Sequence, residues 1–143
     1  MIAGWNFGAG AITRSIKGIL LIMGLLLIAP PFAAADSNMT KEYSNCMDKS
    51  GGVTAAMLEC TSDEKARQDA LLNQNYKTLM AKLSAKRKKT LLEAQRAWIK
   101  FRDTNCSFYF DPEGGTAAVL AGNGCFLQAT ADRAKELKNL TPE

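Results

Sequence analysis

The chain contains no histidine among its 143 residues. Histidine is the side chain that most often carries acid–base chemistry near neutral pH, and it is a frequent ligand of zinc. The chain therefore lacks the usual residue of both a general acid–base site and a zinc site. Proton transfer would fall to facing Asp or Glu pairs, and no clear pair emerges. Gly-rich phosphate loops, nucleophile elbows and metal-ligand spacings are also missing. The sequence therefore predicts a protein that is not an enzyme and holds no cofactor or metal.

A long apolar run occurs only near the N-terminus. Residues 19–29 are mostly apolar, follow a basic start with Arg14 and Lys17, and precede two prolines and a small-residue ending at Ala35. This order is typical of an export signal. The run falls short of the roughly 20 residues that span a bilayer. We therefore expect residues 1–35 to be a signal peptide, with a periplasmic or secreted product that meets the membrane only if the segment stays uncleaved.

Strong positive charge is absent from the remaining segment, residues 36–143. All 14 acidic residues and all but two of the 18 basic ones lie there, which leaves a net charge of about +2. A nucleic acid binder would need a strongly basic face, so nucleic acid is not expected as a partner. The segment is long enough for one small domain with a single core.

No strand pattern appears in this segment, whereas apolar residues recur at helical spacing. The pattern predicts a short helix over residues 43–49, long helices over about 54–83 and 86–109, and a third long helix from Thr116 onward. The glycines flanking Asn123 predict a kink or break in that last helix. The predicted fold is all-α, a small bundle of three main helices plus a short N-terminal helix.

Four cysteines, Cys46, Cys60, Cys106 and Cys125, follow the export signal. An even number in a small exported domain indicates two disulfides, for which three pairings exist. Short loops make neighbouring helices antiparallel, which brings Cys106 close to Cys125 and leaves Cys46 for Cys60.

Several polar side chains fall inside the apolar faces of the helices. A charge there requires partners, so the set is either a ligand pocket or a structural network, and we favour the network. In the simplest arrangement Asp69 bridges Arg102 or Arg133 and is largely buried, while other polar groups satisfy the remaining donors. The predicted network consists of Asp69, Asn73, Gln95, Arg102, Thr130 and Arg133. The basic residues 86–89 are interpreted as a solvated turn, with an anionic envelope polymer as the alternative partner.

An ordered set of motifs covers nearly all of residues 36–143. The motifs consist of Glu59 and Cys60; Asp69, Leu72, Asn73 and Tyr76; Gln95, Arg96, Ala97, Trp98, Ile99, Phe101, Arg102, Asp103 and Cys106; Gly114, Gly115 and Thr116; Cys125; and Thr130, Arg133 and Leu137. This ordered set resembles the LprI-type lysozyme inhibitor family. The resemblance implies an exported, disulfide-containing helical domain whose family name comes from inhibition of lysozyme.

Two functions from different classes follow. The first is an inhibitor that binds a muramidase, such as lysozyme, and occludes its cleft. The second is a non-inhibitory envelope module that binds peptidoglycan or another envelope protein. Inhibition needs a rigid protruding element, and the loop after the second long helix fits because a disulfide would pin its flanks. Its candidate binding residues are Asp111, Glu113, Gly114 and Gly115.

Overall fold

The computed structural model describes residues 38–142, so the predicted signal peptide lies outside the described residues. Four α-helices and no strands occur in this part of the chain. They are α1 (Lys41–Lys49), α2 (Thr54–Lys82), α3 (Ala85–Ser107) and α4 (Gly115–Asn139). The predicted all-α class with three main helices and a short N-terminal helix is confirmed. None of the helices within residues 38–142 combines the length and apolar character that a membrane crossing requires.

Local sequence explains where α1 begins and ends. The Thr40 side chain caps its start by accepting a hydrogen bond from the Tyr43 amide at 3.1 Å. The helix ends at Lys49, and Gly51 and Gly52 follow with φ of 57° and 78°. Glycine enters this left-handed region without the steric penalty of a Cβ atom, so the chain can reverse here into α2.

The three long helices run up, down and up. Residues later in α2 contact residues later in α4 or just after it. Asn75 donates to the Ala134 carbonyl at 2.8 Å, and Lys82 donates to the Pro142 carbonyl. These two helices are therefore parallel to each other. Contacts of α3 with α4 run in the opposite sense, from Cys106 with Cys125 to Gln95 with Arg133.

Small residues decide which helices pack most closely. Ala131 and Ala134 of α4 are buried, and their size allows α2 to approach the α4 backbone. Long side chains such as Arg133 lie between α3 and α4 instead. The main apolar core is built from all three long helices and contains Leu72, Leu79, Leu91, Ala134 and Leu137, with Tyr76, Met80, Leu83 and Trp98 packed against it.

Both predicted disulfides are confirmed. Cys46 of α1 is bonded to Cys60 of α2, with their Cα atoms 5.7 Å apart. Cys106 near the end of α3 is bonded to Cys125 of α4, with a Cα separation of 5.4 Å. The first bond holds the short α1 on α2, and the second closes the α3–α4 connection.

The predicted interruption of the last helix is wrong, because α4 continues through Gly122, Asn123 and Gly124. Packing requires glycine at position 122, because a Cβ atom there would lie 2.4 Å from the Phe110 ring. The close approach of that ring compensates for the low helix propensity of glycine. Helical spacing would place Tyr109, Val119 and Leu140 on the apolar faces of their helices, but all three are exposed.

Candidate functional site

The connection between α3 and α4 is a structured loop, and we call residues 108–115 the tip loop. Its backbone is fixed by hydrogen bonds from the Phe110 amide to the Ser107 carbonyl at 3.2 Å and from the Gly114 amide to the Asp111 carbonyl at 3.0 Å. The Asp111 carboxylate also accepts from the Glu113 amide at 2.9 Å. Such aspartate turns hold a loop in one conformation, which is why Asp and Gly suit these positions.

Phe110 anchors the tip loop to the body of the domain. Its ring lies against the Gly122 backbone and 6.2 Å from the ring of Phe126, centroid to centroid. The Cys106–Cys125 disulfide ties the helices on either side. A disulfide at the base and an aromatic anchor in the middle together make the tip loop a rigid element.

Other aromatic rings near the tip loop point away from the core. Phe108 is 83 % exposed and Phe101 is 65 % exposed. Phe108 also contacts Tyr109 edge to face, with centroids 6.0 Å apart. We call Phe101, Phe108 and Tyr109 the aromatic patch. Exposed aromatic rings are typical anchors of protein–protein interfaces.

Acidic residues give the tip loop itself its charge. It contains Asp111 and Glu113 and no Lys or Arg, whereas Lys65 and Arg102 lie over the ring of Phe126, 5.5 and 5.6 Å from its centroid. Asp111 and Glu113 of the tip loop are exposed, as are Gly114 and Gly115. The predicted partner-binding loop is thus accessible and locally negative on a domain that is weakly basic as a whole. The sequence prediction missed the aromatic patch, although the seven-residue spacing of Phe101 and Phe108 places both on one helix face.

Two arginines join α3 to α4. Arg133, which is buried, donates from Nε to the side-chain oxygen Oε1 of Gln95 at 3.0 Å. Arg102 donates to the Thr130 hydroxyl at 3.4 Å, and its guanidinium carbon lies 4.9 Å from the Trp98 ring centroid. The structure therefore brings four members of the predicted network together as two bonded pairs.

The predicted role of Asp69 is wrong. Within residues 38–142 its carboxylate bonds neither Arg102 nor Arg133, and it is only half-buried. The arginines pair with carboxylates on their own helices instead: Arg102 with Asp103 at 2.8 Å and Arg133 with Glu136 at 2.7 Å. These acids lie on the same helix as the arginine that each one pairs with. The arginines therefore require no carboxylate from α2.

Asp69 and Asn73 line an open groove between α2 and α3, which we call the α2–α3 groove. Its volume is about 290 Å³, and it is walled by apolar and aromatic side chains with polar ones between them. Asn73 is exposed and makes no side-chain hydrogen bond to the described residues. The ten lining residues are Asp69, Leu72, Asn73, Tyr76, Leu92, Gln95, Arg96, Trp98, Ile99 and Arg102.

Among residues 38–142 the buried carboxylate is that of Glu64, which the sequence prediction missed. Its side chain is fully buried and accepts four hydrogen bonds. The donors are the Thr40 amide and hydroxyl at 2.9 and 2.6 Å, Arg67 at 2.8 Å and Gln68 at 2.8 Å. Burial by itself raises the pKa of Glu64, but the hydrogen bonds outweigh it and hold the pKa below its usual value. We call Thr40, Glu64, Arg67 and Gln68 the Glu64 cluster.

Comparisons with known proteins agree with this architecture. The sequence model of a family described as "Lysozyme inhibitor LprI" matches residues 46–137. The chain is 32 % identical over 95 residues to the "Uncharacterized protein R02472" of Rhizobium meliloti (strain 1021), which covers 57 % of this chain and 68 % of that protein. No solved structure matches the chain.

The family match begins at Cys46 and ends at Leu137, so it includes both disulfides, the tip loop and the two arginine pairs. It covers well over half of the chain and agrees with the resemblance of the ordered motifs. The chain belongs to the LprI lysozyme inhibitor family.

Proposed function

We propose that the protein is an exported inhibitor that binds a muramidase through the tip loop and the aromatic patch and occludes the active-site cleft. The observation that carries this proposal is the exposure of Phe108 at the start of a loop that is fixed by a disulfide and an aromatic anchor. Ordering a flexible loop on binding costs free energy, whereas a loop that is already ordered avoids most of that cost.

Charge supports the same surface. A basic lysozyme would be repelled weakly by a domain of about +2, which argues against binding through an average surface. The tip loop instead presents Asp111 and Glu113 and contains no basic residue of its own. Local acidic charge steers a basic partner toward this end and raises the association rate.

The arginine pairs serve this function indirectly. Arg102 and Arg133 are committed to Thr130 and Gln95 and fix how α3 and α4 dock. The tip loop connects those two helices, so its position depends on their docking. The family motif thus acts as the support of the binding surface, whereas the surface itself consists of exposed residues.

Lysozyme clearing of a cell-wall suspension tests the proposal, with the protein lacking residues 1–35 as the inhibitor. We expect inhibition by the wild type and about a tenfold or greater loss for Phe108→Ala, because exposed aromatic anchors contribute on the order of 2 kcal/mol. The paired change Asp111→Lys with Glu113→Lys should slow association, most strongly at low salt. A matched control is Glu42→Lys with Asp48→Lys on α1, which changes net charge equally at exposed positions outside the tip loop.

Full lysozyme activity in the presence of micromolar wild-type protein, for every lysozyme class tested, would refute the inhibitor proposal. The alternative is then an envelope binding module, and the α2–α3 groove favours it because aromatic and unpaired polar side chains converge there. Pull-down on purified sacculi measures this alternative directly. Binding that is retained by Phe108→Ala and lost with Asn73→Ala would assign peptidoglycan recognition to the groove.

A further inference from the structure

The opposite end of the molecule from the tip loop carries a dense positive charge. Residues 82–92 contain five basic residues and no acidic one. Within the described part of the chain none of the five pairs with a carboxylate. All are exposed except Lys88, which is half-buried. We call this set the basic end, and it consists of Lys82, Lys86, Arg87, Lys88 and Lys89.

The four cations at residues 86–89 do not stabilise α3, the helix that carries them. Residues 86–89 lie in the first turns of α3, where the positive end of the helix dipole disfavours positive side chains. The first turn has no acidic residue, and Ser84 provides no side-chain cap. A helix start that was shaped for stability would hold acids at these positions. A local conflict of this kind points to a role outside the fold.

An apolar pocket opens within the same end. Its volume is about 210 Å³, and it lies where the end of α2, the start of α3 and the end of α4 meet. Leu140 is 52 % exposed at its edge, and Arg87 is part of its lining. The lining consists of Leu79, Leu83, Arg87, Thr90, Leu91, Ala94 and Leu140.

We propose that the basic end is a docking surface for an anionic phospholipid bilayer. Negative headgroups complement the five cations of the basic end, none of which pairs with a carboxylate of the described residues. The acyl boundary beneath the headgroups accepts Leu140 and Leu83. A soluble polyanion would satisfy the cations but would leave the apolar pocket without a partner. The combination of cations around an apolar pocket therefore favours an amphiphilic surface over a purely polar polymer.

Docking in this way fixes the direction of the domain on the membrane. The 23 residues of α3 connect the two ends and extend about 34 Å. The tip loop would consequently face away from the bilayer, with the aromatic patch accessible. The proposal does not depend on the inhibitor function, because it rests on the other end of the molecule.

Co-sedimentation with lipid vesicles tests the proposal, using the protein without residues 1–35. We expect binding to phosphatidylcholine vesicles that contain about 30 % phosphatidylglycerol, and little binding to phosphatidylcholine alone. Lys86→Glu with Arg87→Glu should weaken binding at least about 25-fold, since each cation near an anionic surface contributes roughly a factor of five. These changes place acids at the α3 start, where they favour the helix, so the melting temperature should not fall.

Two further variants make the result specific. Lys41→Glu with Lys49→Glu changes net charge by the same amount on α1 and should leave vesicle binding largely intact. Leu140→Ser keeps every cation and should weaken binding several-fold. Equal binding to both vesicle types would overturn the proposal, as would an equal loss from the α1 pair. Unchanged binding of Leu140→Ser would also overturn it, because the surface would then recognise only negative charge.

Discussion

Glu64 and Asp69 are carboxylates on the same helix, five residues apart, and their surroundings are opposite. Glu64 is fully buried and accepts four hydrogen bonds. Asp69 is half-buried beside the α2–α3 groove and bonds no arginine of the described residues. Five positions turn a helix by about 140°, so the two side chains leave α2 on different sides.

The segments that cover each side of α2 decide whether its carboxylate is buried. The segment before α1 lies over Glu64, and Thr40 contributes both its amide and its hydroxyl to the carboxylate. Asn38 contributes too, since its carbonyl accepts from Gln68 at 3.0 Å. No comparable segment within residues 38–142 lies over Asp69, which faces the gap between α2 and α3. Of these two carboxylates, the buried one is the one that backbone and side-chain donors hydrogen-bond.

The first prediction concerns Glu64, the buried carboxylate of the pair. Glu64→Ala removes the acceptor of four hydrogen bonds. The Thr40 amide then lacks its partner, and the buried Gln68 amide keeps only its bond to the Asn38 carbonyl. We expect a loss of about 3 kcal/mol in the free energy of unfolding, because buried donors left unsatisfied retain their full desolvation penalty. Chemical denaturation followed by circular dichroism measures it.

Asp63→Ala is the matched control, since Asp63 is the exposed neighbour of Glu64 on α2. Its expected effect is within about 0.5 kcal/mol, as for most surface changes. Glu64→Gln keeps the shape but loses the charge, and should lie between the two. Equal stability of the Glu64→Ala and Asp63→Ala variants would show that the cluster contributes nothing to the fold.

These two carboxylates also mark how far the sequence alone leads. Helix number, order and disulfide pairing were predictable, because apolar spacing and cysteine positions are local properties. The burial of Glu64 was not, since it depends on Thr40, 24 positions away along the chain. The error at Asp69 has a similar cause: helical phase gives the direction of a side chain but not the gap to the next helix.

The candidate site also has a part that the sequence predicts and a part that it does not. The accessibility of Asp111 and Glu113 follows from loop residues such as Pro112 and the paired glycines, which the sequence displays directly. The anchoring of the tip loop depends on Phe110 meeting Gly122 across the α3–α4 connection. Glycine in a helix indicated a break, whereas its actual role is to admit an aromatic ring, and only the packing of α4 against the loop reveals that.

A second prediction concerns acid. The pKa of Glu64 is lower in the folded state than its ordinary value of 4.5, so the unfolded chain binds the proton more readily. The stability contributed by this carboxylate is therefore complete above that ordinary value and declines as the pH falls through the folded-state pKa. Unfolding free energies measured from pH 7 to pH 3 should decrease at the acid end. Glu64→Gln should reduce that decrease, and an identical pH profile for both proteins would contradict the assignment.

The smallest effect is expected at Asp69. A buried ion pair with Arg102 or Arg133 would make Asp69→Ala cost roughly 3 kcal/mol or more, because the remaining arginine would be stranded. In the structure both arginines have partners on α3 and α4, so the change should alter the free energy of unfolding by no more than about 0.5 kcal/mol. Arg133→Ala provides the contrast, since it leaves the buried Gln95 without its donor and should be clearly destabilising. A loss at Asp69 as large as that at Arg133 would mean that the α2–α3 groove closes in solution and that the carboxylate does reach an arginine.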